Sequence, residues 1–325
     1  MSDAVAIILI GRNEGQRLIG ALDSVKDLGV RVVYVDSGST DDSVAEARAR
    51  GAKVVALDMS IPFTAARARN AGVEALREPD GPLPACLQFV DGDCELVKDW
   101  LPRALSAMRA DPNLGVVTGW RTELHPEASI YNAMCQHEWH RPAGPITSCG
   151  GDMLVRSSAF ETAGGFDPTV IAAEDDEFCL RVRAAGFKLL RLPRAMTRHD
   201  ADMHRFSQWW KRSIRNGHGF AQVGTMHPPH LSRERQRVYV FGLMLPAVGL
   251  AGLAVSGWVL AGVLALYAGS YGSSLRGLIR EGVPRRTALK FAGFLTLSKI
   301  PNLIGMATYA ARRLRGRSMR IIEYK

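Results

Sequence analysis

The sequence predicts an α/β fold with a mainly parallel central sheet, followed by membrane-associated helices at the C-terminus. Three observations carry that reading. Residues 1 to about 200 alternate short, nearly continuous apolar runs with helix-spaced segments, the pattern of strands covered on both faces by crossover helices. Val238 to Leu275 is a run of 38 residues without Asp, Glu, Lys or Arg. The net charge of +9 is concentrated at the end: from Arg276 to Lys325, twelve Lys/Arg face two acids, so the first 275 residues sum to −1.

A chain of 325 residues with 47% hydrophobic and 22% charged residues has room for a substantial core and is neither disordered nor a polytopic transporter. Cys86, Cys94, Cys135, Cys149 and Cys179 show neither metal-ligand spacing nor a paired framework, which fits free thiols in a reducing compartment. The opening MSDAVAIILIGRNEG has too short an apolar run and no basic leader for a signal peptide. Basic residues gathered in a tail behind an apolar run point to a membrane surface and away from nucleic acid, which calls for a basic folded face with aromatic platforms.

Taken in order, VAIILI (5–10) reads as a buried strand and Glu14–Leu28 as a helix. RVVYVD (31–36) is a second strand, and STDDSVAEARARG (39–51) is a helix opened by capping residues and closed by Gly51. AKVVAL (52–57), a helix over Ala65–Leu76 and the strand CLQFVD (86–91) follow. In parallel sheets ligands bind beyond the carboxyl ends of strands. Asp36 and Asp91 each end a strand, so both belong at one crevice, although Asp36 serves equally as a turn and helix cap.

The chemistry-bearing stretches converge there. Asp91 and Asp93 flank a single glycine; carboxylates this close repel and raise one another's pKa, and a divalent cation would favour the charged form of both. Arg67 and Arg69 lie near a helix start, positioned for an anion or simply for solvent. Gly150 and Gly151 permit close backbone approach. Glu174-Asp175-Asp176-Glu177 places four acids at a helix start, more than a helix dipole needs.

The order of these segments resembles the family 2 glycosyltransferases of GT-A fold, over roughly residues 4–220. The resemblance rests on Ile10 to Glu14, YVDSGSTDDS (34–43), ARARNAG (66–72), FVDGDCE (89–95), GGDMLVRSSAFETAGGFD (150–167) and EDDEFCLRVRAAGF (174–187). It implies a nucleotide-sugar donor whose base is bound by Asp36 with Ile10, Arg12, Asn13 and Glu14 beside it, and whose nucleotide touches Arg69. It implies a D-x-D pair holding Mn²⁺ or Mg²⁺, with Asp93 the direct ligand, Asp91 nearer the ribose and His199 a third ligand. It makes Asp175 the base that accepts the acceptor's proton in an inverting transfer, with Gly150, Gly151, Asp152 and Glu174 on the acceptor side. QWWKR (208–212) is out of register with the signature of processive synthases, and no span precedes the catalytic segment, which favours adding a single sugar.

The boundaries that follow are 1–204 for the catalytic domain, 205–237 for amphipathic interfacial helices, 238–275 for an apolar helical hairpin and 276–325 for basic, membrane-associated helices. Ser256-Gly257 marks the hairpin turn and Pro246 a kink. Arg233, Arg235 and Arg237 precede the hairpin, and Arg276, Arg280, Arg285 and Arg286 follow it, so both flanks read as cytoplasmic. Phe291–Ala311, interrupted by Lys299 and Pro301, reads as interfacial or re-entrant. The expectation is an enzyme at the inner membrane, facing the cytoplasm and glycosylating a lipid-linked, polyprenyl-type acceptor in exopolysaccharide or envelope glycan synthesis. A nucleotidyltransferase on the same sheet and a non-catalytic nucleotide-sugar-binding membrane protein are the alternatives, as is a buried helical core in place of the hairpin.

Overall fold

In the computed structural model, which describes residues 4–77 and 82–323, the chain divides into two units, Met1–His204 and Arg205–Lys325. The first unit begins with the most apolar run, β1 (Val5–Gly11), followed by α1 (Gln16–Asp23), a short 3₁₀ turn over Lys26–Leu28, β2 (Arg31–Asp36), α2 (Ser43–Ala49), β3 (Lys53–Ala56) and α3 (Ala65–Arg77). Then come β4 (Cys86–Asp91), β5 (Cys94–Leu96), α4 (Trp100–Ala110), β6 (Leu114–Glu123), α5 (Ile130–Trp139), β7 (Gly144–Ile146), β8 (Met153–Arg156), α6 (Ser157–Thr162), α7 (Glu174–Ala184) and β9 (Lys188–His199).

These strands form one nine-stranded mixed sheet in the order β3-β2-β1-β4-β8-β6-β9-β5, with β7 paired to β9. Strands β1–β4, β6 and β9 run one way, while β5, β7 and β8 run against them. The sheet is therefore mostly parallel. Alternation along β1 divides the core: Val5, Ile7 and Leu9 join Leu18, Trp100 and Leu105 on one face, and Ala6 and Ile8 join Val73, Phe160 and Phe178 on the other. Burial of each large side chain contributes roughly 1.5–3 kcal/mol.

One helix is shorter than its pattern implies. The reading of 14–28 as a helix gives way to α1, because Asn13 and Gly15 both take φ 54° and start it late. The chain then tightens into the 3₁₀ turn and leaves it through Gly29 at φ 64°.

The second unit contains α8 (Phe206–Met226), α9 (Ser232–Tyr239), a π-helical turn over Val240–Met244, α10 (Leu245–Leu253), α11 (Gly257–Arg280), α12 (Arg285–Leu297) and α13 (Lys299–Leu314). The stretch from α9 through α10 is one rod, Ser232–Leu253, which with α11 is long and apolar enough to cross a membrane by length and composition. At ~1.5 Å per residue, 22 and 24 residues give about 33 and 36 Å. The expected hairpin turn is present between Leu253 and Gly257, where Ser256 Oγ accepts from Trp258 N at 3.3 Å. In place of a simple kink, a π turn over Val240–Met244 ends two residues before Pro246, whose missing N–H leaves one backbone bond unmade.

Residues 205–237 contain α8 plus the start of the rod, and α11 runs past 275 to Arg280. Trp209 on α8 is buried, with its ring 4.9 Å from that of Phe294.

Candidate functional site

Strand register lines up the site. Gly11 pairs with Asp36 and Ile10 with Asp91, so the carboxyl ends of β2, β1 and β4 lie side by side. The loops that follow are stitched together: Asn13 N donates to Ser39 Oγ at 2.9 Å, Thr40 N donates to Asn13 Oδ1 at 2.7 Å, and Gly15 N donates to Asp41 Oδ2 at 3.1 Å. Asp36 is buried and its Oδ2 accepts the N–H groups of Gly38 and Ser39, each at 3.0 Å. The turn role read from the sequence is thus real, and it also fixes this carboxylate at the strand end. Arg12 lies over the Phe63 ring at 5.2 Å, Glu14 pairs with Arg17 at 3.0 Å, and Ile10 is buried on β1 between Val35 of β2 and Asp91 of β4.

The charge on Asp91 is answered within the protein. Its Oδ1 accepts from Arg69 Nη2 at 2.8 Å and its Oδ2 from Arg121 Nη2 at 3.0 Å. Burial disfavours that charge, but Arg69 and Arg121 outweigh it and hold the carboxyl below the usual carboxylate range. Both oxygens of Asp91 thus meet guanidinium groups. Asp152, expected on the acceptor side, is 1% exposed. It accepts from Asp91 N at 2.9 Å, Arg121 Nε at 2.9 Å and Thr197 Oγ1 at 2.7 Å, which makes it a buried brace beneath Asp91.

Arg69 is 3% exposed, and its Nη1 donates to Glu174 Oε1 at 2.8 Å. It thus bridges two acidic segments, Asp91 at the end of β4 and Glu174 at the start of α7. Gly151 is what lets it do so, because a Cβ there would overlap Arg69 Nη2. Glu174, expected on the acceptor side, is buried and makes this pair. Arg67 donates to the carbonyls of Asp58 at 2.9 Å, Ile61 at 2.7 Å and Pro62 at 3.0 Å, closing its own loop instead of facing an anion.

Asp93 faces a different partner. Its Oδ2 lies 3.3 Å from His199 Nε2, and His199 Nδ1 lies 3.6 Å from Glu123 Oε2. The topology enforces this: β9 runs between β5 and β6, so His199 pairs with Cys94 on one side and Glu123 on the other. Burial pulls the imidazole pKa down, but Asp93 and Glu123 outweigh it and the net shift is upward. Trp139 meets the ring edge-on at 4.6 Å.

Among the described residues, two donor sets come close enough for a cation: Asp93, Cys94 and His199, and Asp91, Cys94 and Asp152, with ligand atoms within 4.8 Å of one another. Burial and the neighbouring Asp152 push the Cys94 thiol well up, so it stays protonated and is a poor ligand for Mn²⁺ or Mg²⁺. The second set is held by arginines. Asp93 and His199 remain, a carboxylate and an imidazole 3.3 Å apart, near enough for one cation to touch both.

Asp175 sits in the first turn of α7, which starts from Ala173 at φ 59°. Its Oδ1 accepts from Asp176 N at 2.8 Å, and its Oδ2 lies 3.7 Å from where a Gly150 Cβ would stand. Burial first and Glu174 second raise its pKa to about 7, against the pull of Arg69. Three of the four acids thus divide. Glu174 holds Arg69 and Glu177 holds Arg181 at 2.6 Å, while the Asp175 carboxyl is poised to exchange a proton near neutrality.

Arg121 and Glu123 escaped the motif reading because both lie inside GWRTEL on β6. The available signal was two charges at i and i+2 on an otherwise apolar strand, placed on one face.

The sequence model of Glycosyl transferase family 2 matches residues 6–150. Pre-mycofactocin glycosyltransferase of Mycobacterium tuberculosis (strain CDC 1551 / Oshkosh) is 27% identical over 244 residues, 69% of this chain and 48% of the relative, so the chain spans about half that protein's length. An uncharacterized glycosyltransferase of Rickettsia conorii is 44% identical over 55 residues, 17% of this chain and 20% of its own. Among solved structures, the mannosyltransferase PcManGT of Pyrobaculum calidifontis, in complex with GDP-Man and Mn²⁺, superposes with a TM-score of 0.61 at 21% identity, covering 93% of this chain and 88% of that one.

Proposed function

From a glycosyltransferase family 2 domain over residues 6–150, on a sheet of GT-A type, we propose a metal-dependent inverting enzyme that moves one sugar from a nucleotide-sugar to a lipid-linked, polyprenyl-type acceptor at the cytoplasmic face of the inner membrane. The observation that carries the reading is Asp175: a carboxyl with a pKa near 7, beside the Gly150-Gly151 loop, at the edge where Asp36 and Asp91 end their strands. The nucleotide lies along the Asn13–Thr40 loops with its base toward Asp36. Asp93 and His199 would hold a cation, Mn²⁺ or Mg²⁺, which when bound would offset the charge that grows on the departing diphosphate.

In the transfer the acceptor oxygen bonds to the anomeric carbon from the face opposite the diphosphate. The carbon–oxygen bond to the diphosphate breaks, its electron pair leaves with the nucleoside diphosphate, and the acceptor proton passes to Asp175. The Arg69 bridge to Asp91 and Glu174 keeps the donor-side and base-side segments in register.

Membrane association rests on the rod Ser232–Leu253 and on α11, whose outer faces carry Leu250, Trp258 and Leu264, with Val255 in the turn between them, all exposed. Arg233, Arg235 and Arg237 at the start of the rod and Arg276 and Arg280 at the end of α11 match a cytoplasmic flank on each side. An acceptor that cannot leave the bilayer explains the anchor, and envelope or exopolysaccharide synthesis is the setting.

Detergent-purified protein given a panel of nucleotide-sugars with a bacterial lipid extract tests this. Nucleoside diphosphate should appear with one donor, only with lipid, and not after EDTA or in Asp93→Ala. Pyrophosphate in its place means a nucleotidyltransferase, and release without lipid removes the lipid-linked acceptor.

A further inference from the structure

The geometry points to an anion subsite at Arg141 and Arg191, beside the Cys149–Gly151 loop, that takes the phosphate ester joining the acceptor's sugar to its lipid. The inference rests on the lipid-linked acceptor proposed above and names the charged group by which that acceptor is held.

Arg191 lies on β9, where it pairs with Thr118 of β6 on one side and Gly144 of β7 on the other. Side chains alternate along a strand. Leu190 and Leu192 pack on one face of the sheet, and Leu189 packs on the other with Cys149, Phe178 and Cys179. Arg191 therefore belongs to the face that α7 covers. Its Nη1 donates to Pro142 O at 3.4 Å, and its Nε is buried without a hydrogen-bond partner. Burial lowers its pKa; the sulfur of Cys149 works against that and the charge of Arg141 works with it, so the guanidinium is within electrostatic reach of both.

Arg141 is exposed, on the loop after α5. Its Nε donates to Glu138 O at 2.9 Å, and its carbonyl accepts from Trp120 Nε1 at 2.7 Å. The Trp120 ring stacks on His140 at 4.3 Å, which fixes the backbone from which this side chain extends. Arg69, Arg121 and Arg181 each meet a carboxylate. Among the described residues none lies within 4.0 Å of Arg141 or Arg191.

Both cations border the Asp175 side of the loop. Cys149 Sγ is 3.8 Å from Cys179 Sγ, one helical turn along α7 from Asp175. The next residue, Gly150, is exposed, and a Cβ there would stand 3.7 Å from Asp175 Oδ2. Two like charges without a carboxylate call for an anion from outside, and two guanidinium forks match the oxygens of a phosphate. The hydroxyl that gives its proton to Asp175 is a different group. In a lipid-linked sugar the phosphate stands at the other end of that sugar, so holding it here orients the hydroxyl at Asp175.

The probes are farnesyl diphosphate, farnesol and inorganic pyrophosphate. Each is titrated by calorimetry into the full-length protein in detergent with EDTA, so that no cation recruits the anion elsewhere. Wild type should bind farnesyl diphosphate at least ~10-fold more tightly than farnesol. Arg141→Gln/Arg191→Gln should bind it about 10–100-fold more weakly, with farnesol affinity and melting midpoint unchanged. Undiminished farnesyl diphosphate affinity in that variant overturns the inference. Inorganic pyrophosphate bound as tightly, and through the same arginines, also overturns it, because the anion is then not one carried on lipid. Should the double variant fail to fold, Arg141→Glu decides. That side chain is exposed, and reversing its charge should weaken farnesyl diphosphate by at least ~10-fold, whereas unchanged affinity overturns the inference. The donor-release assay keeps the two readings apart. Lipid-dependent release of nucleoside diphosphate, joined to arginine-independent binding of farnesyl diphosphate, leaves the transferase standing without this subsite. Release without lipid removes the lipid-linked acceptor and the subsite together.

Discussion

His199 in the first unit and His218 in the second are both buried, yet their imidazoles are pushed in opposite directions. His199 has a carboxylate on each side and its pKa rises. His218, on α8, is wholly buried with neither ring nitrogen hydrogen-bonded; burial and the neighbouring Arg312 drive its pKa to about 4. The contrast extends to the units as wholes. The first takes Arg69, Asp152, Glu123 and Glu177 into its interior and matches each with a partner. The second turns Leu250, Val255 and Trp258 outward, 72%, 83% and 86% exposed. Charge organises one interior, and the medium outside organises the other. Water is a poor solvent for that outward face, and a lipid tail is a good one.

The largest expected effect tests the charge-organised interior. Asp175→Asn should lower the transfer rate by roughly 10²–10⁴ while leaving nucleotide binding nearly intact. In the wild type the rate should climb as pH rises through about 7, where the carboxyl becomes a base. Stability should move the other way. The folded carboxyl titrates near 7 against an ordinary value of 3.8, so between those values the unfolded chain has already released a proton that the folded one still holds. Stability therefore falls as pH rises through that window. Asp175→Asn should lack that fall and exceed the wild type by roughly 1–2 kcal/mol above the window, read as a melting difference at two pH values. A variant that turned over normally would remove Asp175 as the base.

The outward face is tested next. Leu264→Arg places a cation on α11, where Leu264 is 59% exposed. If lipid is the medium there, the change costs about 2.5–3.5 kcal/mol of insertion, seen as loss from the carbonate-resistant membrane fraction with soluble nucleotide binding unchanged. An unaltered membrane fraction would mean that this helix face is not in lipid.

How much of this could be read beforehand follows the same division. Short apolar runs mark where β1, β2 and β4 stop, so the placing of Asp36 and Asp91 at one edge was legible from local pattern. The partners were not. Arg69 meets Glu174 across 105 residues, Arg121 meets Asp91 across 30, and Thr197 meets Asp152 across 45, distances over which only strand order decides who touches whom. The sequence accordingly showed two like charges in need of a cation without revealing that guanidinium groups already hold one of them. In the second unit the apolar length and its basic flanks were legible because they are properties of composition. The π turn and the exact helix ends were not, because they depend on the backbone geometry around Pro246 and Gly257.

The smallest effects distinguish two uses of glycine. A Cβ on Gly151 would overlap the Arg69 head, and one on Gly217 would overlap the backbone of Asn302 across the α8–α13 packing. The Arg69 head lies at the end of a flexible side chain and can withdraw, but in withdrawing it lets go of Asp91 and Glu174. The Asn302 backbone is part of a helix and cannot yield without moving α13. Gly217→Ala should therefore cost about 1–3 kcal/mol in thermal unfolding and leave nucleotide affinity untouched. Gly151→Ala should lose less stability yet slow transfer and shift the pH profile, since Arg69 is the cation that opposes the raised pKa of Asp175. If both variants lost stability and activity in the same proportion, the two close approaches would be the same kind of packing, and the claim that charge organises only the first interior would fail.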